Sequence, residues 1–383
     1  MRIFVIAGEP SGDKLGAALM AGLKALAPGV EFHGIGGPLM EAEGLASRFP
    51  MEELSVMGLW EVLPKYRHLK RRIVETAAAV ADLAPDALIT IDSPDFTLRV
   101  ARAARAARPD LRVIHYVAPS VWAWRPGRAA RMAQVVDHVL ALLPFEPPYM
   151  QAAGMSCDFV GHPVVAEPRA TPAEAAAFRE AHGIAGDQPL VLCLPGSREG
   201  EVARLGPRFD EALMRVRDRE PGLRVVLPTV RGVAPMVRGM ADRWPVAPIV
   251  VEDPSEKRAA FAAADLALAA SGTVSLELAA ARTPMVIAYD MAPLSRLIVG
   301  MLLKIDTVTL VNLVAETRAI PEFLGRDCRA DAIAPALCSL IEDEGARAAQ
   351  MAAMEVTMQR LGEGGEAPGL RAARSVLAYL ARA

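Results

Sequence analysis

The chain has 383 residues, of which 52% are hydrophobic and 23% charged, and its formal net charge is −3. This length predicts two domains. The slightly acidic balance excludes a nucleic-acid binder whose affinity comes from neutralising phosphates. The cysteines are scattered without CxxC spacing, which indicates a reducing compartment and neither a disulfide framework nor a zinc site. They are Cys157, Cys193, Cys328 and Cys338.

The first residues, RIFVIAGEPSGD, predict a strand and a turn and not a secretory signal. No segment reaches the roughly 18 uninterrupted apolar residues of a transmembrane helix. The nearest candidate, LIVGMLL at 297–303, is far too short. We therefore expect a cytoplasmic protein, or one attached to a membrane from the cytoplasmic side.

Strands alternate with helix-length segments along the chain. Leucines at helical spacing predict a first helix at 14–26. A proline-bearing stretch at 167–172 is typical of a linker. Strands are expected at 3–7, 87–91, 113–117, 138–143 and 158–160 before it, and at 190–194, 224–227, 248–251, 266–269 and 285–288 after it.

Two successive parallel α/β halves predict two doubly wound, Rossmann-like domains facing each other across a cleft. We place the first domain at 1–165 and the second at 166–345. Helices at 346–383 are expected to pack across both domains. A break at 362–368 precedes the last of them.

The first turn, GEPSGD, follows the first strand. Gly8 and Gly12 allow tight backbone turns, and Ser11 or Asp13 can cap the helix that follows. The turn is neither GxGxxG nor a Walker A motif. A plain turn would not account for Glu9, an acid placed where a site should be.

A second polar cluster follows the strands at 87–91 and 113–117. Aromatic residues make up only 5% of the chain, yet Trp122 and Trp124 share one loop with Ser120 and Arg125. Open α/β sheets build their ligand sites past the carboxyl ends of strands. The polar and turn-forming neighbours favour an exposed rim over a buried tryptophan pair.

Two carboxylates near this loop, Asp92 and Asp95, have DxxD spacing. Metal-dependent transferases favour a DxD cluster instead, so we expect no metal here, and Asp95 is typical of a helix N-cap. His115 and His162 lie in or next to strand ends without metal-ligand spacing. Both are expected to be structural.

In the second half, LPGSREGEV follows the strand at 190–194. Gly196 and Ser197 would expose backbone N–H groups at a helix start, and Arg198 adds a cation suited to phosphate. ASGTVSLELA repeats the pattern after the strand at 266–269. Its site candidates are Ser271, Gly272, Thr273 and, one turn into the helix, Glu277.

A basic segment, MGLWEVLPKYRHLKRR at 57–72, combines aromatic and cationic residues. One interpretation is a solvated basic helix face. The other is a surface helix that lies on an anionic lipid leaflet. The stretch 293–303 is a candidate companion or a wall for acyl chains. The residues assigned to the membrane are Trp60, Tyr66, Lys70, Arg71 and Arg72.

Several specific motifs, in one order over nearly the whole chain, resemble the lipid-A-disaccharide synthase family. They are GEPSGD (8–13), MEELSVMGLWEVL (51–63), IDSPDF (91–96), HYVAPSVWAWRPGR (115–128), LPGSREGEV (194–202) and ASGTVSLELA (270–279), with the segment around Asn312. The resemblance implies the two-Rossmann-domain architecture called GT-B. It also implies transfer of 2,3-diacylglucosamine from UDP to 2,3-diacylglucosamine 1-phosphate, with inversion, at the inner membrane surface.

The same resemblance implies roles for the candidate residues. Asp92 would be the general base, with Glu9 as the competing candidate, and no cofactor is expected. Asn312 and the two glycine-containing turns at 196–198 and 271–273 would bind the UDP donor, and Glu277 would hold its ribose. The acceptor side would consist of Ser11, Ser120, Trp122, Trp124 and Arg125.

The residues also bear on three other classes of protein. An epimerase or a muramyl-type transferase would lack SVWAWRPGR, and an oxidoreductase would need GxGxxG after a strand. A non-catalytic carbohydrate or lipid carrier stays open, as does a homodimer. The chain departs from the family at 316–318 (ETR) and at Gly325, which affects the expected contacts near Asn312.

Overall fold

A computed structural model describes residues 1–54, 59–125, 127–292 and 305–382, with side chains described outside 59–66. The chain divides into two compact units. The first consists of Met1–Ala166 together with Leu361–Ala383, and the second consists of Glu167–Arg360.

The first unit contains a six-stranded sheet in the order β2-β1-β3-β4-β5-β6, with every pair parallel. The strands are β1 Arg2–Ala7, β2 Glu31–Ile35, β3 Ala87–Ile91, β4 Val113–Tyr116, β5 His138–Ala141 and β6 Ser156–Phe159. The central strands β3 and β4 are buried along their whole length, as expected where helices cover both faces of a parallel sheet.

The second unit contains another six-stranded parallel sheet, in the order β12-β11-β10-β7-β8-β9. Its strands are β7 Leu190–Leu194, β8 Arg224–Pro228, β9 Ile249–Val251, β10 Leu266–Ala269, β11 Met285–Tyr289 and β12 Glu322–Leu324. The predicted α/β class with two doubly wound sheets is confirmed.

Helices connect the strands and cover the sheets. Within Met1–Ala166 of the first unit they are α1 Pro10–Leu26, α2 Pro38–Ala42, α3 Leu59–Leu83, α4 Pro94–Ala107, α5 Gly127–Met132 and α6 Pro147–Gln151. They continue as α7 Pro172–Ala181, α8 Glu199–Arg217, α9 Ala234–Ala241, α10 Pro254–Ala263, α11 Val274–Ala281, α12 Leu310–Ala315, α13 Ala330–Glu342, α14 Glu344–Arg360 and α15 Pro368–Ala381.

Two expected helix caps are wrong. Helix α1 begins at Pro10, so Ser11 and Asp13 lie inside it, and its N-cap residue makes no side-chain cap bond. The buried Asp13 carboxylate instead accepts backbone N–H groups from the start of α2, 24 to 27 residues away. Asp95 also lies inside its helix, because α4 begins at Pro94 with Ser93 as N-cap.

The C-terminal segment returns to the first unit. Helix α15 packs on α1 at two glycines: a Cβ on Gly22 would lie 2.7 Å from the Gly369 carbonyl oxygen, and a Cβ on Gly369 only 2.5 Å from that of Ala18. His138 of β5 lies 2.7 Å from the Ser375 hydroxyl and stacks on Tyr379. Helix α14 belongs to the second unit and α15 to the first, with the boundary between Arg360 and Leu361.

Candidate functional site

The carboxyl ends of β1, β3 and β4 form one rim of the first sheet, because these strands are parallel neighbours. Ala7 at the end of β1 pairs with Ile91 at the end of β3. Glu9 follows β1, and Asp92 follows β3. The two segments are in close contact, since a Cβ on Gly8 would lie 2.8 Å from the Ser93 hydroxyl oxygen.

Asp92 has an unusual backbone. Its φ is +48° and that of Ser93 is +44°, in the left-handed region that non-glycine residues rarely adopt. The Asp92 N–H donates to the Tyr116 carbonyl (3.0 Å), and the Thr97 hydroxyl donates to the Asp92 carbonyl (2.9 Å). Backbone strain of this kind is concentrated at functional sites. Asp92 is half-buried.

The aromatic loop, residues 117–125, extends this rim past β4. Its two ends, Val117 (φ +84°) and Arg125 (φ +50°), are also left-handed. The Arg125 guanidinium lies 4.3 Å from the centroid of the Trp124 ring, a cation–π contact. Trp122 is partly buried and packs edge-on against Phe145, with 5.1 Å between ring centroids. Ser120 is exposed.

Glu146 is a contact of this loop that the sequence analysis missed. Its carboxylate accepts the Trp122 indole N–H at 3.3 Å and the backbone N–H groups of Leu142 and Leu143 at 3.1 and 3.0 Å. Burial raises the pKa of Glu146 to about 7. An acid within an apolar, proline-rich run just past a predicted strand (LLPFEPP) is the sequence signal that could have found it.

The first glycine turn of the second unit lies between β7 and α8. Gly196 has φ +121°, and a Cβ there would meet Glu201 at 2.5 Å. Glu201 accepts the Ser197 backbone N–H at 3.2 Å and an Arg198 guanidinium N–H at 3.4 Å. The Arg198 side chain is 64% exposed, so it can reach a ligand in front of the turn.

The second glycine turn, between β10 and α11, lies beside the first. β10 pairs with β7, and the Ala270 N–H donates to the Leu194 carbonyl at 2.8 Å. Gly272 has φ +147°, and the neighbouring Ser271 and Thr273 are accessible. The structure thus brings two helix N-termini to one edge of the sheet, where their N–H groups and dipoles favour an anion.

Glu277 lies in the first turn of α11 and forms an ion pair with Lys257 of α10, with 2.9 Å between Nζ and the carboxylate. Lys257 was not among the residues expected at this site. Both side chains are about one-third exposed, at 37% and 31%, so the pair remains accessible to a ligand.

Asn312 is fully buried. Its amide N–H groups donate to the Thr307 hydroxyl (3.2 Å) and the Ile320 carbonyl (2.9 Å), and its oxygen accepts the Ile320 N–H (3.1 Å). These bonds tie together two chain segments beside β12. The geometry suits a residue that shapes the local backbone.

The basic helix α3 lies partly outside the described side chains, which exclude those of Trp60 and Tyr66, and the stretch 293–303 lies outside the described residues altogether. Arg72 bonds Glu53 at 2.8 and 2.9 Å and lies over the Phe49 ring. Lys70 and Arg71 are exposed. Within the described ranges, every helix is too short or too polar to cross a lipid bilayer.

His115 and His162 are buried, and burial lowers the pKa of each to about 4. The His115 ring lies 2.7 Å from the Thr90 hydroxyl. Among the residues that the structure describes, no group of three His, Cys, Asp or Glu side chains is arranged as a metal site.

Two parallel sheets with paired glycine turns define the class: a GT-B fold, which nucleotide-sugar epimerases and glycosyltransferases share. The structure of UDP-GlcNAc 2-epimerase from Neisseria meningitidis bound to UDP-GlcNAc matches with a TM-score of 0.65 at 11% identity, covering 100% of both chains. A glycosyltransferase structure from Rickettsia africae matches with a TM-score of 0.59 at 12% identity, covering 100% of this chain and 97% of that one. These likenesses show the fold.

Sequence relatives give the particular family. The profile described as lipid-A-disaccharide synthetase matches residues 3–368. Lipid-A-disaccharide synthases from Ruegeria pomeroyi and Rhodospirillum centenum are 62% and 47% identical, over 98% of this chain and 95% and 94% of their own lengths. The chain belongs to the lipid-A-disaccharide synthase family, whose members are glycosyltransferases.

Proposed function

We propose that the chain transfers 2,3-diacylglucosamine from UDP to the 6-hydroxyl of 2,3-diacylglucosamine 1-phosphate. The products are the β-1′,6-linked disaccharide 1-phosphate and UDP. The observation that carries the proposal is the family match over residues 3–368. Incubating the protein with both monosaccharide substrates tests it, because the disaccharide phosphate has a mass that neither substrate has. A wild type that gives no disaccharide contradicts the proposal.

In the proposed reaction, Asp92 acts as general base. Its carboxylate takes the proton of the acceptor 6-hydroxyl while that oxygen bonds to the anomeric carbon of the donor and the bond from this carbon to UDP breaks. One displacement converts the α-linked donor into a β-linked product. The left-handed backbone at Asp92, held by Tyr116 and Thr97, supports this role because it fixes the position of the residue at the rim.

Glu9 is the competing base, because it follows the neighbouring strand and its segment contacts that of Asp92. On the same rim, the proposed acceptor contacts are Ser11 and the aromatic loop with Ser120, Trp122, Trp124 and Arg125. The rim thus combines a base with aromatic and hydrogen-bonding groups suited to a sugar.

The donor is assigned to the second unit. The backbone N–H groups of the two glycine turns and the Arg198 guanidinium would hold the diphosphate and stabilise the charge that develops as UDP leaves. This positive field is our reason for proposing a reaction without a metal cofactor. Glu277 would accept the ribose hydroxyls, with Lys257 orienting its carboxylate. Asn312 would act by shaping the backbone near β12.

The acylated substrates would be reached at a lipid surface. We propose peripheral attachment to the cytoplasmic face of the inner membrane through α3, with the exposed Lys70 and Arg71 contacting anionic headgroups beside Trp60 and Tyr66. Arg72 is engaged by Glu53 and Phe49, so in this proposal it anchors the helix to the fold.

Replacement of the base should reduce turnover without affecting the donor. Asp92→Asn keeps the shape of the side chain and removes its basicity, so kcat should fall by about 10²–10⁴ while UDP affinity is unchanged. Asp95→Asn is the matched control: it makes the same chemical change at an exposed position three residues away and should leave kcat unchanged. Near-normal turnover in Asp92→Asn beside an inactive Glu9→Gln would transfer the role to Glu9.

Replacement of Arg198 should weaken UDP binding. Arg198→Ala removes a charge-assisted hydrogen bond, which costs about 1.5–3 kcal/mol and corresponds to a loss of roughly 10–150-fold in affinity by titration calorimetry. Arg215→Ala removes an exposed arginine from the last turn of α8, the helix that Arg198 precedes, and serves as the control. Equal UDP affinities in the two variants would refute the phosphate assignment.

Charge reversal on α3 should release the protein from anionic vesicles. Each cation near an anionic surface contributes about 1 kcal/mol, so Lys70→Glu with Arg71→Glu should weaken co-sedimentation by on the order of thirtyfold or more. Arg99→Glu with Arg102→Glu gives the same change in net charge on exposed positions of α4. If both pairs weaken binding equally, the contact is non-specific and α3 is not the attachment site.

A further inference from the structure

The buried carboxylate of Glu146 is not required by the chemistry proposed above, yet it contacts the rim. Only 4% of the residue is exposed, and all three of its described hydrogen-bond partners are N–H donors. Two of these donors are backbone groups of its own turn, at Leu142 and Leu143. The third is the Trp122 indole, 24 residues earlier in the chain and part of the aromatic loop.

A carboxylate at this position is costly. Burial raises the pKa of Glu146 to about 7, against the lowering effect of its hydrogen bonds. An apolar side chain of similar size would avoid that cost, so stability alone does not explain an acid here. Buried ionisable residues with shifted pKa values that do not stabilise the fold are concentrated at functional sites.

The aromatic loop needs such an anchor. Both of its ends, Val117 and Arg125, have left-handed backbone, which costs free energy unless surrounding contacts hold it. The Glu146 carboxylate fixes the direction of the Trp122 N–H, and the preceding residue, Phe145, contacts the indole ring edge-on. Two consecutive residues beyond β5 therefore restrain the orientation of one indole.

We propose that Glu146 is a positioning residue for the acceptor: its hydrogen bond to Trp122 holds the aromatic loop in the conformation that binds the acceptor sugar. This inference rests on the proposed function and extends it, because it assigns acceptor affinity to a residue outside the rim. The proposed donor contacts lie in the second unit and do not involve Glu146.

Glu146→Gln tests the proposal. Glutamine keeps the length of the side chain but offers one oxygen to three donors, so the Trp122 hydrogen bond should be lost. We expect the KM for the acceptor to rise about tenfold, with the KM for UDP-2,3-diacylglucosamine within about twofold of wild type. The unfolding temperature should not fall, because the substitution also removes a buried charge.

Asp137→Asn is the matched control. Asp137 precedes β5 at the opposite end of the strand, where it also accepts a backbone N–H, from Val113, and pairs with Arg105. Its replacement should lower the unfolding temperature and leave the acceptor KM unchanged. If the role of Glu146 were purely structural, Glu146→Gln would also lower the unfolding temperature and leave the acceptor KM unchanged.

A double-mutant cycle with Trp122→Phe identifies the partner. Phenylalanine keeps an aromatic ring and removes the N–H, so Glu146→Gln should add no further increase in acceptor KM in that background. The proposal is overturned if Glu146→Gln raises the acceptor KM by the same factor in the wild-type and Trp122→Phe backgrounds. It is also overturned if the acceptor KM of Glu146→Gln equals that of the wild type.

If Glu146→Gln does not fold, Trp122→Phe carries the test alone, and an unchanged acceptor KM in it overturns the proposal. The activity of the wild type distinguishes a failure of this inference from a failure of the proposed function. A wild type that makes no disaccharide overturns both, whereas an active wild type with an unaffected Glu146→Gln overturns only the positioning role.

Discussion

In a parallel sheet all strands run in the same direction, and their carboxyl ends therefore lie along one edge. Residues far apart in the chain are brought together there, as Glu9, Asp92 and the aromatic loop are in the first unit. The same constraint places the turns after β7 and β10 side by side in the second unit. Every candidate role for a base, an aromatic contact or an anion site depends on this geometry.

The two rims use different chemistry. In the second unit, glycines with positive φ shape the two turns, and the exposed Arg198 side chain adds a positive charge to the first of them. In the first unit, non-glycine residues adopt left-handed backbone at Asp92, Ser93, Val117 and Arg125, and tertiary hydrogen bonds offset the cost. Glycine turns suit an anion held by backbone groups, whereas strained side-chain positions suit a sugar held by side chains.

Central strands could be predicted from sequence almost residue for residue, because both of their faces are buried and they are continuous apolar runs. The predicted bounds 87–91, 190–194 and 266–269 agree with the structure. The edge strands β2 (EFHGI) and β12 (EFL) were missed, since polar residues interrupt them. The Asp13 cap was wrong because the donors to its carboxylate lie 24 to 27 residues away, and the contact of Glu146 with Trp122 likewise spans 24 residues; no local pattern encodes contacts of that length.

The return of α15 to the first unit affects the order in which the chain is completed during synthesis. Helix α1 leaves the ribosome among the first residues, but the glycine-containing surface that α15 covers stays open until residues 361–383 have been made. The whole of Glu167–Arg360 is translated in between, which takes about 10–40 seconds at roughly 5–20 residues per second. During that interval the apolar face of α1 lacks the α15 residues that complete its core cluster, so the first unit, although it begins the chain, can finish its core only after the second unit has been translated as far as Arg360.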